Sequence, residues 1–327
     1  MSRVYMLLLA LFSVLYCENG FSLDKKGAGK IIHLKSLPAD PDPYGDFNTL
    51  VVPIKRAGNL IIVEAQVDTV EGNFVLDTGA PYLVLNATYF RNAPHINEQE
   101  AGGVNGESSS ETFTTAVKNF SILDLHYPRL TADVTDLSAI ENQRHIKILG
   151  LLGTRLFSKM AITVDLLHNE LCIHKLDEHG NIQPGEQQFD HPQLKTSFKY
   201  LNDIIFLKGA INGNRPMWFA FDSGSEVNLI DHNYSKKVLQ SLRVVNRLTL
   251  TGVGGSTFEV INAEFGKLII ADQTFLNNHI LITDLEKMGH FYGQSIDGVL
   301  GYDFFARGAF TINFVKEEFE MYIYNNQ

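Results

Sequence analysis

Short apolar runs, separated by turns rich in glycine and asparagine, dominate this chain. One such unit reads Ile61–Ala65, then Glu71–Asn73, then Phe74–Leu76, and it predicts two strands joined by a turn at Glu71–Asn73. Apolar runs this short, bounded by turn residues, are typical of strands and not of helices. The chain is therefore predicted to be mostly β, with an early strand at Thr49–Ile54.

The strand–turn–strand unit occurs twice, with the second turn predicted at Asn212–Asn214, and each copy ends in a similar motif. These motifs are Asp77-Thr78-Gly79 and Asp222-Ser223-Gly224, 145 residues apart. A second matched pair, Leu152-Gly153 and Leu300-Gly301, recurs after 148 residues. Glycine-rich segments stand between the two motifs of each copy, namely Gly102-Gly103-Val104 and Gly252-Val253-Gly254-Gly255. Three matched features in one order indicate an internal duplication.

The repeat divides the chain into two homologous lobes. We predict an N-terminal lobe at 49–175, a turn-rich linker at 176–195 and a C-terminal lobe at 196–327, preceded by a lead-in at 23–48. Clear helical patterning is scarce, and the segment around Tyr234–Leu242 is the best candidate, with Asp231 as a candidate cap.

The first 22 residues have the pattern of a signal peptide. Arg3 precedes an apolar run that is too short to span a bilayer, and small residues make cleavage after Ser22 the expected outcome. The protein is thus predicted to be exported, to the periplasm or the extracellular space, without a membrane-spanning segment. A rival interpretation is a lipid anchor on Cys17, although Tyr16 occupies a position where a small residue is usual.

Net charge and cysteine content limit the binding partners, disulfides and metal sites that we expect. The formal net charge is −10, so there is no basic surface to neutralise the phosphates of a nucleic acid. Cys172 is the one cysteine after the leader, which leaves no internal disulfide. His168, His174 and His179 lie near it, but their spacing matches no zinc pattern. We predict a buried cysteine, surface histidines, and neither metal nor cofactor.

Two aspartates carry the candidate chemistry. Asp77 follows the apolar run Phe74–Leu76, and Asp222 follows Trp218–Phe221. A carboxylate set between apolar strands is costly unless it is paired or hydrogen-bonded. Two of them at equivalent places in paired lobes predict carboxyls that meet, share a proton, and act as general base and general acid. The hydroxyls of Thr78 and Ser223, and the backbone freedom of Gly79 and Gly224, would support the two loops.

These residues resemble the motifs of the retropepsin-like (clan AA) aspartic peptidases. Asp77-Thr78-Gly79 and Asp222-Ser223-Gly224 are similar to the family's active-site motif, and Leu152-Gly153 and Leu300-Gly301 to its adjacent strand. The resemblance covers about 49–175 and 196–327. It implies a bilobal pepsin/retropepsin-like fold of two β-barrel-like lobes around a cleft, with the glycine-rich segments as flaps. It also implies an aspartic endopeptidase that acts on a peptide or protein substrate as a monomer, because one chain supplies both halves of a pseudo-dimer.

The sequence departs from the family at two places. Thr154 and Tyr302 stand where the family often has an arginine, and Pro81 stands where it has an acid in the first lobe. Glu226 holds that acid in the second lobe, where it would either orient the loop or face solvent. Two alternatives to an active peptidase stay open: a non-catalytic peptide- or protein-binding module with the same fold, and a zymogen-like enzyme whose residues 23–48 mask the cleft.

Overall fold

The computed structural model describes residues 42–96, 112–187, 189–251, 257–291 and 295–324. Within them the protein is mostly β, as the short apolar runs predicted. The predicted leader with Cys17, and most of the predicted lead-in, lie outside the described residues. No helix among the described segments is long and apolar enough to cross a membrane.

The described strands of the first half are β1 (Thr49–Ala57), β2 (Leu60–Val67), β3 (Val70–Leu76), β4 (Leu83–Asn86), β5 (Phe113–Val117), β6 (Phe120–Ile122), β7 (Leu125–Tyr127), β8 (Leu130–Thr135), β9 (Gly150–Leu152), β10 (Met160–Asp165) and β11 (Glu170–Lys175). Those of the second half are β12 (Leu194–Ser197), β13 (Lys199–Leu201), β14 (Ile204–Ile211), β15 (Met217–Phe221), β16 (Leu229–Asp231), β17 (Arg243–Thr251), β18 (Thr257–Ile270), β19 (Gln273–Thr283), β20 (Gly298–Leu300), β21 (Gly308–Asn313) and β22 (Glu318–Ile323). The helices are short: α1 (Ala87–Phe90), α2 (Ser138–Arg144), α3 (Lys236–Gln240), α4 (Glu286–Phe291), α5 (Tyr302–Phe305) and a 3-10 turn at Thr154–Phe157.

The two halves repeat one pattern of strand pairing. In the first, β9 runs parallel to β3 and antiparallel to β4, and β4 runs parallel to β8. In the second, β20 runs parallel to β15 and antiparallel to β16, and β16 runs parallel to β19. The structure therefore shows the duplication in its hydrogen bonding as well as in its sequence.

The hairpins β2–β3 and β14–β15 test the turn predictions. In the second half the turn begins at Asn212 and Gly213, as predicted, and both adopt positive φ. In the first half the prediction was wrong, because Glu71–Asn73 lies inside β3 and the chain turns at Asp68. Asp68 has a φ of 53°, a left-handed conformation that a short polar side chain tolerates. Its carboxylate also accepts two backbone N–H groups.

The helix prediction was correct in place but not in its cap. α3 lies inside the predicted segment, and Ser235 is its N-cap residue. Asp231 instead closes a turn, where its carboxylate accepts the N–H of Asn233 at 2.7 Å. A short acidic side chain serves either role, and the sequence does not distinguish them.

Aromatic side chains fill the core behind the second aspartate. Phe221 directly precedes Asp222, and its ring lies 5.2–6.3 Å from those of four other phenylalanines. These four are Phe304, Phe305, Phe310 and Phe319. Edge-to-face contacts among buried rings add to the free energy of burial and hold the strand end in one position.

One continuous sheet joins the halves through β10 and β21, which pair antiparallel. Thr163 faces Thr311 in this register, and their buried hydroxyls hydrogen-bond at 2.8 Å. His174 continues the polar chain, with Nε2 3.0 Å from the Thr163 hydroxyl and Nδ1 2.9 Å from that of Thr49. His174 is fully buried, so its prediction as a surface residue was wrong. Burial lowers the pKa of His174 to about 4.

Candidate active site

Equivalent strands deliver the two aspartates to the boundary between the halves. Asp77 follows β3, and its N–H donates to the carbonyl of Leu152 at 3.0 Å. Asp222 follows β15, and its N–H donates to the carbonyl of Leu300 at 3.0 Å. The Leu-Gly motifs therefore lie beside the aspartate loops, because β9 and β20 are the parallel neighbours of the strands that carry them.

Gly153 and Gly301 are required by close packing. A Cβ atom on Gly153 would collide with the carbonyl of Tyr82, and one on Gly301 would lie 2.6 Å from the carbonyl of Ser225. Backbone cannot retreat as a flexible side chain can, so any side chain here would displace the loop after the aspartate.

The carboxyl groups of Asp77 and Asp222 lie against each other and are buried, with 2% and 1% of their surfaces exposed. Gly79 donates its N–H to Asp77 Oδ1 at 2.9 Å, and Gly224 donates to Asp222 Oδ1 at 2.8 Å. Each glycine also faces the opposite carboxyl: a Cβ on Gly79 would lie 2.6 Å from Asp222 Cγ, and one on Gly224 2.6 Å from Asp77 Oδ1. Only glycine leaves room for the two carboxyls to approach.

Burial and mutual repulsion favour a singly protonated pair. Burial raises the pKa of Asp77, and burial together with the negative charge of Asp77 raises the pKa of Asp222 well above its ordinary value. Two buried carboxyls in contact cannot both ionise without strong repulsion, so a single proton between them is the favoured state. Among the described residues, Asp222 Oδ2 is buried without a hydrogen-bond partner. Two carboxyls in this state titrate as a unit, in which one is an acid while the other is a base.

Thr78 and Ser223 cross-link the two loops reciprocally. The Thr78 hydroxyl donates to the carbonyl of Phe221 at 2.9 Å and accepts the N–H of Ser223 at 2.9 Å. The Ser223 hydroxyl donates to the carbonyl of Leu76 at 2.8 Å and accepts the N–H of Thr78 at 3.0 Å. Four buried hydrogen bonds thus hold the loops face to face, and the two-fold pattern explains why a hydroxyl follows each aspartate.

The residues after the Leu-Gly motifs also bridge the halves. The Thr154 hydroxyl donates to the carbonyl of Asp203 and lies 3.3 Å from the hydroxyl of Tyr200. At the equivalent place, the Tyr302 hydroxyl accepts a hydrogen bond from Arg56 at 2.8 Å, and the guanidinium of Arg56 stacks on the Tyr302 ring. Thr154 and Tyr302 are the residues that stand where an arginine was expected from the resemblance. In the structure each of them hydrogen-bonds a residue of the other half.

Glu226 forms an ion pair with Arg144 at the end of α2. The sequence left open whether Glu226 orients the loop or faces solvent, and the structure shows it paired and buried. The side chains of Glu226 and Arg144 are 8% and 15% exposed, so the ion pair is largely buried, and burial lowers the pKa of Arg144. The equivalent residue in the first half is Pro81, so this cross-link exists once. Sequence reasoning missed Arg144, because no motif surrounds it.

The predicted flap residues are not placed by the structure. Gly102, Gly103 and Val104 lie outside the described residues, as do Gly252, Val253, Gly254 and Gly255. In the second half β17 and β18 pair up to Thr251 and Thr257, on either side of the glycines.

One group among the described residues has the spacing of a metal site, namely Asp231, His232 and Asp284. Its carboxylates already accept backbone N–H groups from Asn233, Leu285 and Glu286, as turn-closing side chains do. It includes neither aspartate of the buried pair, nor the histidines around Cys172.

No family model matches the chain, and a search of curated proteins finds no match.

Proposed function

We propose that this protein is a retropepsin-like aspartic endopeptidase with the bilobal acid-protease fold, in which Asp77 and Asp222 are the catalytic residues. One observation carries the proposal: two carboxyls from equivalent loops lie against each other and are buried. Aspartic proteases are the known case of this arrangement. A proton shared in this way gives one site both a base and an acid.

The chemistry follows from the protonation of the pair. The ionised carboxylate takes a proton from a water molecule as the water oxygen attacks the peptide carbonyl carbon, and the protonated carboxyl transfers its proton to the carbonyl oxygen. The carboxyl that took the water proton then gives a proton to the amide nitrogen. The other carboxylate takes a proton from a hydroxyl of the tetrahedral intermediate as the C–N bond breaks, so the pair is again singly protonated. No covalent bond to the protein forms.

The loop cross-links support this role because acid–base catalysis needs fixed distances. Thr78 and Ser223 hold both loops through buried hydrogen bonds, so the carboxyls keep their contact as substrate binds. In this proposal a peptide lies across the boundary between the halves as an added strand. The leader at 1–22 supports export as part of the same proposal.

The test is cleavage of a mixed peptide library, from mildly acidic to neutral pH, by the wild type and by Asp77→Asn and Asp222→Asn. We expect both variants to lose activity by a factor on the order of 10³, because each removes the acid–base pair. Asp133→Asn is the matched control, since Asp133 is also a carboxyl whose pKa burial raises, but it lies on β8. Activity retained by either dyad variant contradicts the proposal, and capture of peptides without cleavage by the wild type favours a binding module.

A further inference from the structure

A pocket of about 250 Å³ opens on the first half, and its lining includes Tyr82 and Leu83, which follow the Asp77 loop in the chain. Apolar side chains form part of its wall, and charged or aromatic side chains form the rest. The lining residues used below are Asp42, Tyr82, Leu83, Arg155, Leu156 and Lys159. None of them takes part in the acid–base chemistry.

The pocket is tied to the loop that carries Asp77. The N–H of Arg155 donates to the carbonyl of Pro81 at 3.1 Å, and Tyr82 is the fifth residue after Asp77. Five residues span at most about 17 Å. A bound strand advances about 3.3 Å per residue, so the pocket lies within about five substrate residues of the scissile bond.

Arg155 gives the pocket an available positive charge. Its guanidinium lies 5.2 Å from the ring centroid of Tyr82, which is 37% exposed. Lys159, the other cation of the pocket, already pairs with Asp42. Among the described residues, no carboxylate forms an ion pair with Arg155. The ring limits the motion of the guanidinium and leaves its N–H groups free to meet a ligand.

The second half differs in charge at the equivalent place. Asp303 corresponds to Arg155 by the interval of 148 residues, and its carboxylate accepts a hydrogen bond from the backbone of Asn228. Arg307 corresponds to Lys159, but its guanidinium donates to the carbonyls of Leu276 and Asn277. The position of Arg155 therefore carries the opposite charge in the second half, whereas the position of Lys159 keeps a cation whose guanidinium is bound to backbone carbonyls.

We propose that this pocket binds an acidic side chain of the peptide substrate, within about five residues of the cleaved bond, through the guanidinium of Arg155. This inference rests on the proposed endopeptidase function. Arginine presents parallel N–H donors that match a carboxylate, and Leu83 and Leu156 cover the methylene groups of a glutamate. The overall charge of −10 opposes acidic ligands elsewhere, so a preference for them points to a local cation.

The experiment measures binding of fluorescent peptides to the Asp222→Asn protein, so that cleavage is not needed. Pools with Glu, Gln or Lys at positions flanking a fixed apolar pair are compared at low salt. We expect the Glu pool to bind about threefold to fivefold more tightly than the Gln pool, the range of a partly exposed ion pair. Adding Arg155→Gln should abolish that ratio, and Arg155→Glu should shift the preference to the Lys pool. Arg91→Gln, an equal charge change at another exposed arginine, should leave it unchanged.

The results separate the inference from the proposed function. An unchanged Glu-to-Gln ratio in the Arg155→Gln protein, or no binding of any pool, overturns the inference, whether or not the wild type cleaves peptides. A ratio that depends on Arg155 in a protein whose wild type cleaves nothing supports the pocket and counts against the peptidase. Melting temperatures of all variants show whether the fold is retained.

Discussion

The hydroxyl of Thr78 is the sharpest test of how the two loops are held. Thr78→Val keeps the shape of the side chain but removes an oxygen that donates to Phe221 and accepts from Ser223. Two buried backbone groups then lose their partners, at about 1–3 kcal/mol each. The expected loss is therefore about 2–6 kcal/mol, a large share of the roughly 5–15 kcal/mol that stabilises a typical domain.

Equilibrium unfolding in urea measures this loss as a shift in midpoint at constant slope. Thr78→Ser is the matched control, since it keeps the hydroxyl and gives up only a methyl group, worth about 1 kcal/mol. Catalytic activity, if the proposed function holds, should fall in the valine variant and survive in the serine variant. Equal midpoints for the two variants would show that the reciprocal bonds contribute no stability.

Two further perturbations test buried charge. Glu226→Gln should lower the free energy of unfolding by about 3–5 kcal/mol, because it leaves the cation of Arg144 unpaired in a largely buried site. Combining Glu226→Gln with Arg144→Met should recover much of that loss. Strictly additive effects of the two substitutions on the urea midpoint would argue against the ion pair. The pKa of His174 is lowered from 6.5 to about 4, so the unfolded chain takes up a proton that the folded protein does not. Stability should therefore fall by about 3 kcal/mol more in the wild type than in His174→Gln between pH 6.5 and pH 4, and the difference should level off below pH 4. Parallel pH profiles of the two melting temperatures would refute this.

The sequence predicted the strands well where local pattern decides the structure. Thr49–Ile54 falls within β1, and the turn at Asn212 lies where asparagine and glycine allow positive φ. It failed at Glu71–Asn73, because Gly72 serves packing there: a Cβ atom would lie 2.8 Å from Leu149, a neighbour distant in the chain. A glycine needed for a turn and a glycine needed for close packing look the same in one sequence.

The candidate site likewise contains residues that the sequence predicted and residues that it did not. The sequence identified Asp77 and Asp222 because the same motif occurs in both copies of the repeat. Two motifs separated by a matched interval can be recognised without knowledge of the fold. Arg144 and the burial of His174 had no such signal, since both depend on pairing between segments far apart in sequence. Long-range partners of charged and polar groups are the part that the sequence did not supply.

The ion pair of Arg144 with Glu226 has no counterpart at Pro81, the equivalent position of the first half. This asymmetry has a consequence for how the two halves can evolve. In an association of two identical subunits, every substitution appears on both sides of the axis, so a change that suits one side is forced on the other. A single polypeptide escapes this coupling: proline can occupy one position while glutamate occupies its counterpart. Mutation can then adapt each side of the molecule independently, and dilution cannot separate the partners.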